Sequence, residues 1–77
     1  MYFNYHAKVK RLIKEGRATC YEFLESYHNI SPCLLIYFIG ERPMPIRADH
    51  FDEYLKLLRE FDIKSKSEER RNARLFQ

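Results

Sequence analysis

Residues 33–39 form an uninterrupted apolar run, CLLIYFI, bounded by Pro32 and Gly40. The run is far too short to span a membrane as a helix, and it is rich in the branched and aromatic residues that favour strands. Because successive residues of a strand face opposite sides of a sheet, both faces of this strand are apolar. The run therefore predicts a central strand that needs cover on both sides.

The segment RPMPIR at residues 42–47 carries two prolines one residue apart. Proline has no backbone N–H, which confines it to the edge of a sheet. The donors missing at Pro43 and Pro45 lie on the same side of the strand, while Met44 and Ile46 keep theirs on the other side. We therefore predict an edge strand that pairs with the apolar run and turns its proline side outward, where it resists pairing with another chain.

Two segments have the spacing of amphipathic helices. Apolar residues within 5–13 share one helical face, with Asn4 as a cap and Gly16 as the left-handed residue that ends the helix. Apolar residues also recur at helical spacing in HFDEYLKLLREF, where we expect Asp49 to be the cap.

The segment RATCYEFLESYH at residues 17–28 fits two interpretations. A period of two places Tyr21 and Phe23 on one face of a strand, whereas a helical period aligns Phe23 with Tyr27. We favour the strand, because the apolar run needs neighbours on both edges. The fold class is then α+β, a helix, a three-stranded antiparallel meander and a helix (α-β-β-β-α). It forms a single domain at 1–62, followed by a basic tail at 63–77 that is mobile or partly helical.

The sequence argues against catalysis, a cofactor and a metal site. The histidines and cysteines match none of the ligand spacings of zinc sites, and no small-molecule substrate is indicated. The first residues lack the pattern of a signal peptide and two cysteines are too few for a disulfide framework, so we expect a cytoplasmic protein that does not enter a membrane. The residues considered as ligands are His6, His28, His50, Cys20 and Cys33.

Two helices on one face of a three-stranded sheet leave its other face without a partner, and here that face is apolar. We therefore expect a homo-oligomer or a protein partner to cover it. Two alternatives are cover by the tail with Leu75 and Phe76, and helices and loops of the same chain that wrap both faces. The residues predicted for this interface are Tyr21, Phe23, Leu35, Tyr37 and Ile39.

Charge is distributed unevenly, with a net charge of +4 over residues 1–17, −4 over 18–62 and +3 over 63–77. Basic ends of this kind bind phosphates in nucleic-acid-binding proteins, which gives an alternative function as a nucleic-acid-binding accessory protein. In that case Tyr21, Phe23 and Tyr37 would supply stacking rings on the open sheet face. The predicted nucleic-acid contacts are Lys8, Lys10, Arg11, Lys14, Arg17, Arg70, Arg71 and Arg74.

The segments NYHAKVKRLIKEG, ISPCLLIYF and RPMPIR resemble those of short uncharacterised bacterial proteins, some from mobile elements. That resemblance implies no particular activity. The order of elements is also similar to that of the double-stranded RNA-binding domain and of small toxin proteins with the same topology. The RNA-binding domains carry a lysine cluster at the start of the second helix, where this chain has Asp49, Asp52 and Glu53.

Overall fold

The computed structural model of the protein describes residues 4–67. Two helices flank three antiparallel strands in sequence, so the predicted α+β arrangement is confirmed. A 3₁₀ turn at Ala48–His50 joins the last strand to the second helix. The other elements are α1 (Tyr5–Lys14), β1 (Ala18–Leu24), β2 (Cys33–Phe38), β3 (Met44–Arg47) and α2 (Phe51–Glu60).

The two helices begin differently. The Asn4 side chain accepts a hydrogen bond of 3.1 Å from the Ala7 N–H, which confirms the predicted cap of α1. The expectation that Asp49 caps α2 is wrong, because Asp49 lies inside the 3₁₀ turn and α2 begins at Phe51 without a side-chain cap. The turn satisfies part of the helix start with backbone bonds instead.

The two helices end in the same way, with a residue in the left-handed conformation. In α1 this residue is Gly16, with φ of +78°, and in α2 it is Asp62, with φ of +57°. After α2 the N–H of Asp62 donates to the Arg59 carbonyl at 3.1 Å, and the N–H of Ile63 donates to the Leu58 carbonyl at 2.8 Å. These two bonds define a Schellman motif, and the corresponding pair also closes α1.

The central strand of the sheet is β2, with β1 and β3 antiparallel to it on either side. The strand interpretation of residues 17–28 is therefore confirmed over Ala18–Leu24. Tyr21 lies opposite Ile36, Leu35 lies opposite Pro45, and an irregularity in β1 falls between residues 18 and 20.

Hydrogen-bond alternation fixes which way the prolines face. The Tyr21 N–H donates to the Lys64 carbonyl at 3.2 Å, outside the sheet, so Tyr21 exchanges no backbone bonds with β2. Bonded and non-bonded pairs alternate in antiparallel sheets. The pair of Leu35 and Pro45 is consequently non-bonded, and Pro45 faces outward. The Tyr5 hydroxyl donates to the Pro45 carbonyl at 2.9 Å on that side. The predicted edge strand is therefore confirmed with Pro45 facing outward, whereas Pro43 lies just before β3.

Both helices pack on one face of the sheet and form the main core with it. The buried side chains of this cluster come from both helices and from all three strands. Its fully buried members are Val9, Leu12, Ile13, Leu34, Ile36, Ile46, Tyr54 and Leu58.

The second face of β2 carries Cys33, Leu35 and Tyr37. Leu35 is only 3% exposed and Cys33 is fully buried, although neither belongs to the cluster beneath the helices. The expectation of an uncovered apolar face is therefore wrong at these two positions, because the single chain already excludes water from them.

The chain remains part of the domain after α2. Ile63 packs against the core, and Ser65 forms a parallel bridge with Tyr21 at the outer edge of β1. The packed structure thus continues past the boundary predicted at residue 62, while residues 68–77 of the predicted tail lie outside the described part of the chain.

Candidate protein-binding surface

The five residues predicted as one interface lie in three different places. Tyr21 and Phe23 are opposite Ile36 and Leu34, so their side chains share the helix-covered face, whereas Leu35 and Tyr37 point to the second face. Ile39 follows the end of β2 and is 63% exposed. The Arg17 guanidinium donates a hydrogen bond of 3.0 Å to the Ile39 carbonyl. The prediction that these side chains share one face is therefore wrong; the long connection between β1 and β2 leaves their relative register unspecified by the sequence.

On the second face, Tyr37 is engaged with neighbours of the same chain. Its hydroxyl donates to the Glu22 carboxylate, and the Lys66 ammonium lies 5.0 Å from the centre of its ring. The bond to Glu22, with a smaller effect of burial, raises the pKa of Tyr37 to about 12. With Tyr21 and Phe23 on the other face, the three rings do not form the stacking platform predicted for nucleic acid.

Phe23 is the most exposed aromatic side chain in residues 4–67, with 52% of its surface accessible. Its ring meets the ring of Phe51 edge-on at 5.4 Å and that of Tyr21 at 6.0 Å. Leu55, one helical turn after Phe51, is half-buried beside them. We call Tyr21, Phe23, Phe51 and Leu55 the β1–α2 strip. The helical spacing of α2 alone predicts Phe51 and Leu55 as core residues and gives no sign of this strip.

The backbone beside this strip is open. Since Tyr21 turns its N–H and carbonyl away from β2, alternation turns those of Phe23 outward as well. Within residues 4–67 the outward groups of Tyr21 are met by the segment around Lys64 and Ser65, whereas those of Phe23 have no partner. An unpaired strand edge of this kind is a template for a further strand.

A small cavity of about 270 Å³ lies at the other end of the strip. Arg59 and Lys64 contribute two cations to its wall and Asp62 one anion, and neither cation forms an ion pair within the described residues. The remaining wall is Tyr21, Leu55 and Ile63, so the cavity is continuous with the β1–α2 strip.

The basic residues predicted to contact nucleic acid are largely paired with acids. Ion pairs join Lys8 and Arg17 to Glu41 at 3.7 and 4.0 Å, and Arg11 to Glu15 at 3.9 Å. Lys10 is bound to a carboxylate of α2, and among the five only Lys14 has no ion pair within residues 4–67. The predicted contacts Arg70, Arg71 and Arg74 lie outside the described residues. Nucleic-acid binding stays a prediction. Fewer cations of α1 are available to phosphates than the sequence indicates, because most of them form ion pairs with acids.

A polar cluster that sequence reasoning missed joins α1 to α2. The rings of His6 and His50 lie 4.2 Å apart, and the Tyr54 hydroxyl and the His6 Nδ1 atom form a hydrogen bond of 2.8 Å. The Glu53 carboxylate binds Lys10 and lies 3.5 Å from the His50 Nδ1 atom. Both partners lower the pKa of Glu53, and Lys10 has the larger effect. Burial raises the pKa of Tyr54. No local motif signals this cluster, because its two halves lie at opposite ends of the domain sequence.

Within residues 4–67, no group of three or more histidine, cysteine or acidic side chains is arranged to hold a metal ion. The described helices are also too short and too polar for any of them to cross a bilayer.

Comparisons of the chain with family models, with curated proteins and with solved structures give no match. The resemblance inferred from the sequence segments therefore stays a prediction.

Proposed function

We propose that the chain is a small non-enzymatic module that binds an extended segment of another protein along the outer edge of β1. The observation that carries this proposal is the position of Phe23, which combines a half-exposed ring with an outward-facing backbone that has no partner within residues 4–67. The partner would add a strand beside Phe23 and lay an apolar side chain on the β1–α2 strip.

The energetics favour binding at this place. Burying a fully exposed phenylalanine side chain contributes about 1.5–3 kcal/mol, so covering the 52% of Phe23 that is exposed contributes about half of that, and backbone bonds add direction. The parallel bridge between Tyr21 and Ser65 already occupies this edge at Tyr21, so the partner strand would pair with the edge at Phe23. The edge of β3 is less suitable, since Pro45 lacks a donor and its carbonyl is occupied by Tyr5.

As part of this proposal we place the protein in the cytoplasm. Neither Cys20 nor Cys33 forms a disulfide within the described residues and both are buried, which suits a compartment in which thiols stay reduced.

The proposal is tested by selecting displayed random peptides of about ten residues, which span about 33 Å when extended, on the immobilised full chain. Affinities of the retained peptides are then measured with the wild type, Phe23→Ser and Ile39→Ser. Ile39 is the matched control, because it is also an exposed apolar side chain but lies beyond the far end of β2.

We expect Phe23→Ser to weaken binding about thirtyfold, as for an interface hot spot of about 2 kcal/mol, and Ile39→Ser to leave it unchanged. Equal losses in both variants, or no retained peptide, would contradict the proposal. Light scattering behind a sizing column adds a further outcome. A dimer that Phe23→Ser dissociates would assign the same edge to a second copy of the chain and overturn the choice of partner.

A further inference from the structure

The β1–α2 strip changes character along its length. At one end Phe51 lies against the exposed Phe23 ring, and at the other Arg59 and Lys64 line the small cavity next to Tyr21. Because Phe51, Leu55 and Arg59 are spaced by four residues, they follow one another along the same side of α2. The strip is therefore apolar at the start of α2 and cationic at its end.

The cationic end carries uncompensated charge. Arg59 and Lys64 outnumber Asp62 in the cavity wall, and the exposed positions of all three leave them free to meet a partner. The carbonyl end of α2 is itself partly negative, and Arg59 in the last turn offsets that dipole. That dipole disfavours an anion, so a carboxylate in the cavity would depend on Arg59 and Lys64, whose guanidinium and ammonium groups are both good hydrogen-bond donors to it.

From this charge complementarity we infer that the partner segment is an acidic peptide, with an apolar side chain on Phe23 and Phe51 and a carboxylate between Arg59 and Lys64. The inference rests on the proposed function and adds the chemistry of its partner. Arg59 lies eight positions after Phe51, which is about 12 Å along the helix axis. An extended chain covers that distance in about four residues, so the apolar residue and the acid are about four positions apart.

The test uses the peptides retained from the random library and two pairs of protein substitutions. The first pair, Arg59→Gln with Lys64→Gln, removes both cations of the cavity. The second pair, Arg42→Gln with Lys56→Gln, removes two exposed cations that lie outside it and serves as the control. Circular dichroism and thermal unfolding establish that both double variants are folded before their affinities are compared.

We expect retained peptides to carry Asp or Glu about four positions from an aromatic or large aliphatic residue. The cavity pair should weaken their binding about tenfold and the control pair less than about twofold. Replacing the peptide's acid by its amide should cost the wild type the same factor and leave the cavity pair unaffected, as expected for interacting partners.

Retained peptides that lack acids but still depend on Phe23 would overturn the inference and leave the proposed function intact. An equal loss in both double variants would also overturn it, since only a general effect of net charge would then remain. Peptides that do not depend on Phe23 at all would overturn the proposed function together with the inference.

Discussion

The Tyr5 hydroxyl donates to the Pro45 carbonyl at 2.9 Å, and this bond closes the outer edge of β3 with a side chain from α1. Burial of the phenol at this position raises the pKa of Tyr5 to about 12. At the opposite edge of the same sheet, the backbone of Phe23 faces outward without a partner in the described residues. Within residues 4–67 the sheet therefore has one edge closed at Pro45 and a second edge that is bridged at Tyr21 and open at Phe23, where the exposed aromatic ring lies.

Restoring the missing donors of the closed edge should make the protein self-associate. We expect the double substitution Pro43→Thr and Pro45→Val to form dimers or larger species at high concentration, because it returns outward N–H groups to an edge strand. Light scattering as a function of concentration measures this effect, with Met44→Leu as a control in β3 that leaves the edge unchanged. A double variant as monodisperse as the wild type would show that the prolines do not protect this edge.

The left-handed residues that end the two helices should respond in opposite directions to substitution. Asp62→Gly relieves the strain of a side chain at positive φ and should raise the free energy of unfolding by about 1 kcal/mol. Gly16→Ala introduces that strain and should lower it by about the same amount; a Cβ at Gly16 would meet no atom within 4 Å, so no clash contributes. Denaturant unfolding measures both changes, and a loss of stability in Asp62→Gly would contradict the expected strain.

Leu35 should behave as a core residue despite its place on the second face. Because it is almost completely buried, Leu35→Ala should lower the free energy of unfolding by about 2–5 kcal/mol. Ile39→Ala, on an exposed side chain, should change it by less than about 0.5 kcal/mol. Denaturant unfolding of the two variants compares them directly. A small effect at Leu35 would mean that this face is open to solvent in the free chain.

The hydrogen bond from Tyr37 to Glu22 should make stability fall at alkaline pH. The pKa of Tyr37 is raised above its usual value of about 10 to about 12, so its stabilisation is present below pH 10 and is lost as the pH rises towards 12. Titration of the tyrosine resonances by NMR measures this pKa. In Glu22→Gln the pKa of Tyr37 should return towards 10, because the negative charge is removed, whereas the pKa of Tyr5 should stay high. A wild-type Tyr37 that titrates near 10 would contradict the bond.

The position of the prolines could be predicted from the sequence because the physical rule is local. A missing N–H acts on one side of one strand, and two prolines at a spacing of two residues determine which side that is. The caps at Asn4 and Gly16 follow from equally local chemistry.

The composition of the binding surface could not be predicted in the same way. The faces of Tyr21 and Phe23 relative to Leu35 depend on the register between β1 and β2, and residues 25–32 between them contain no simple two-residue hairpin turn that would fix it. The contact between the His6 and His50 rings depends on how α1 packs against α2. Such pairings arise from the whole core rather than from any local pattern.

Amide hydrogen exchange along β1 is the most direct measurement of the open edge. In the free protein, the amides of Glu22 and Leu24 should exchange slowly because they face β2, whereas the amide of Phe23 should exchange fast. When a retained peptide binds, the Phe23 amide should become protected and the amides of Met44 and Ile46 should not change. A Phe23 amide that is already slow in the free protein, or that stays fast in the complex, would contradict an open binding edge at this strand.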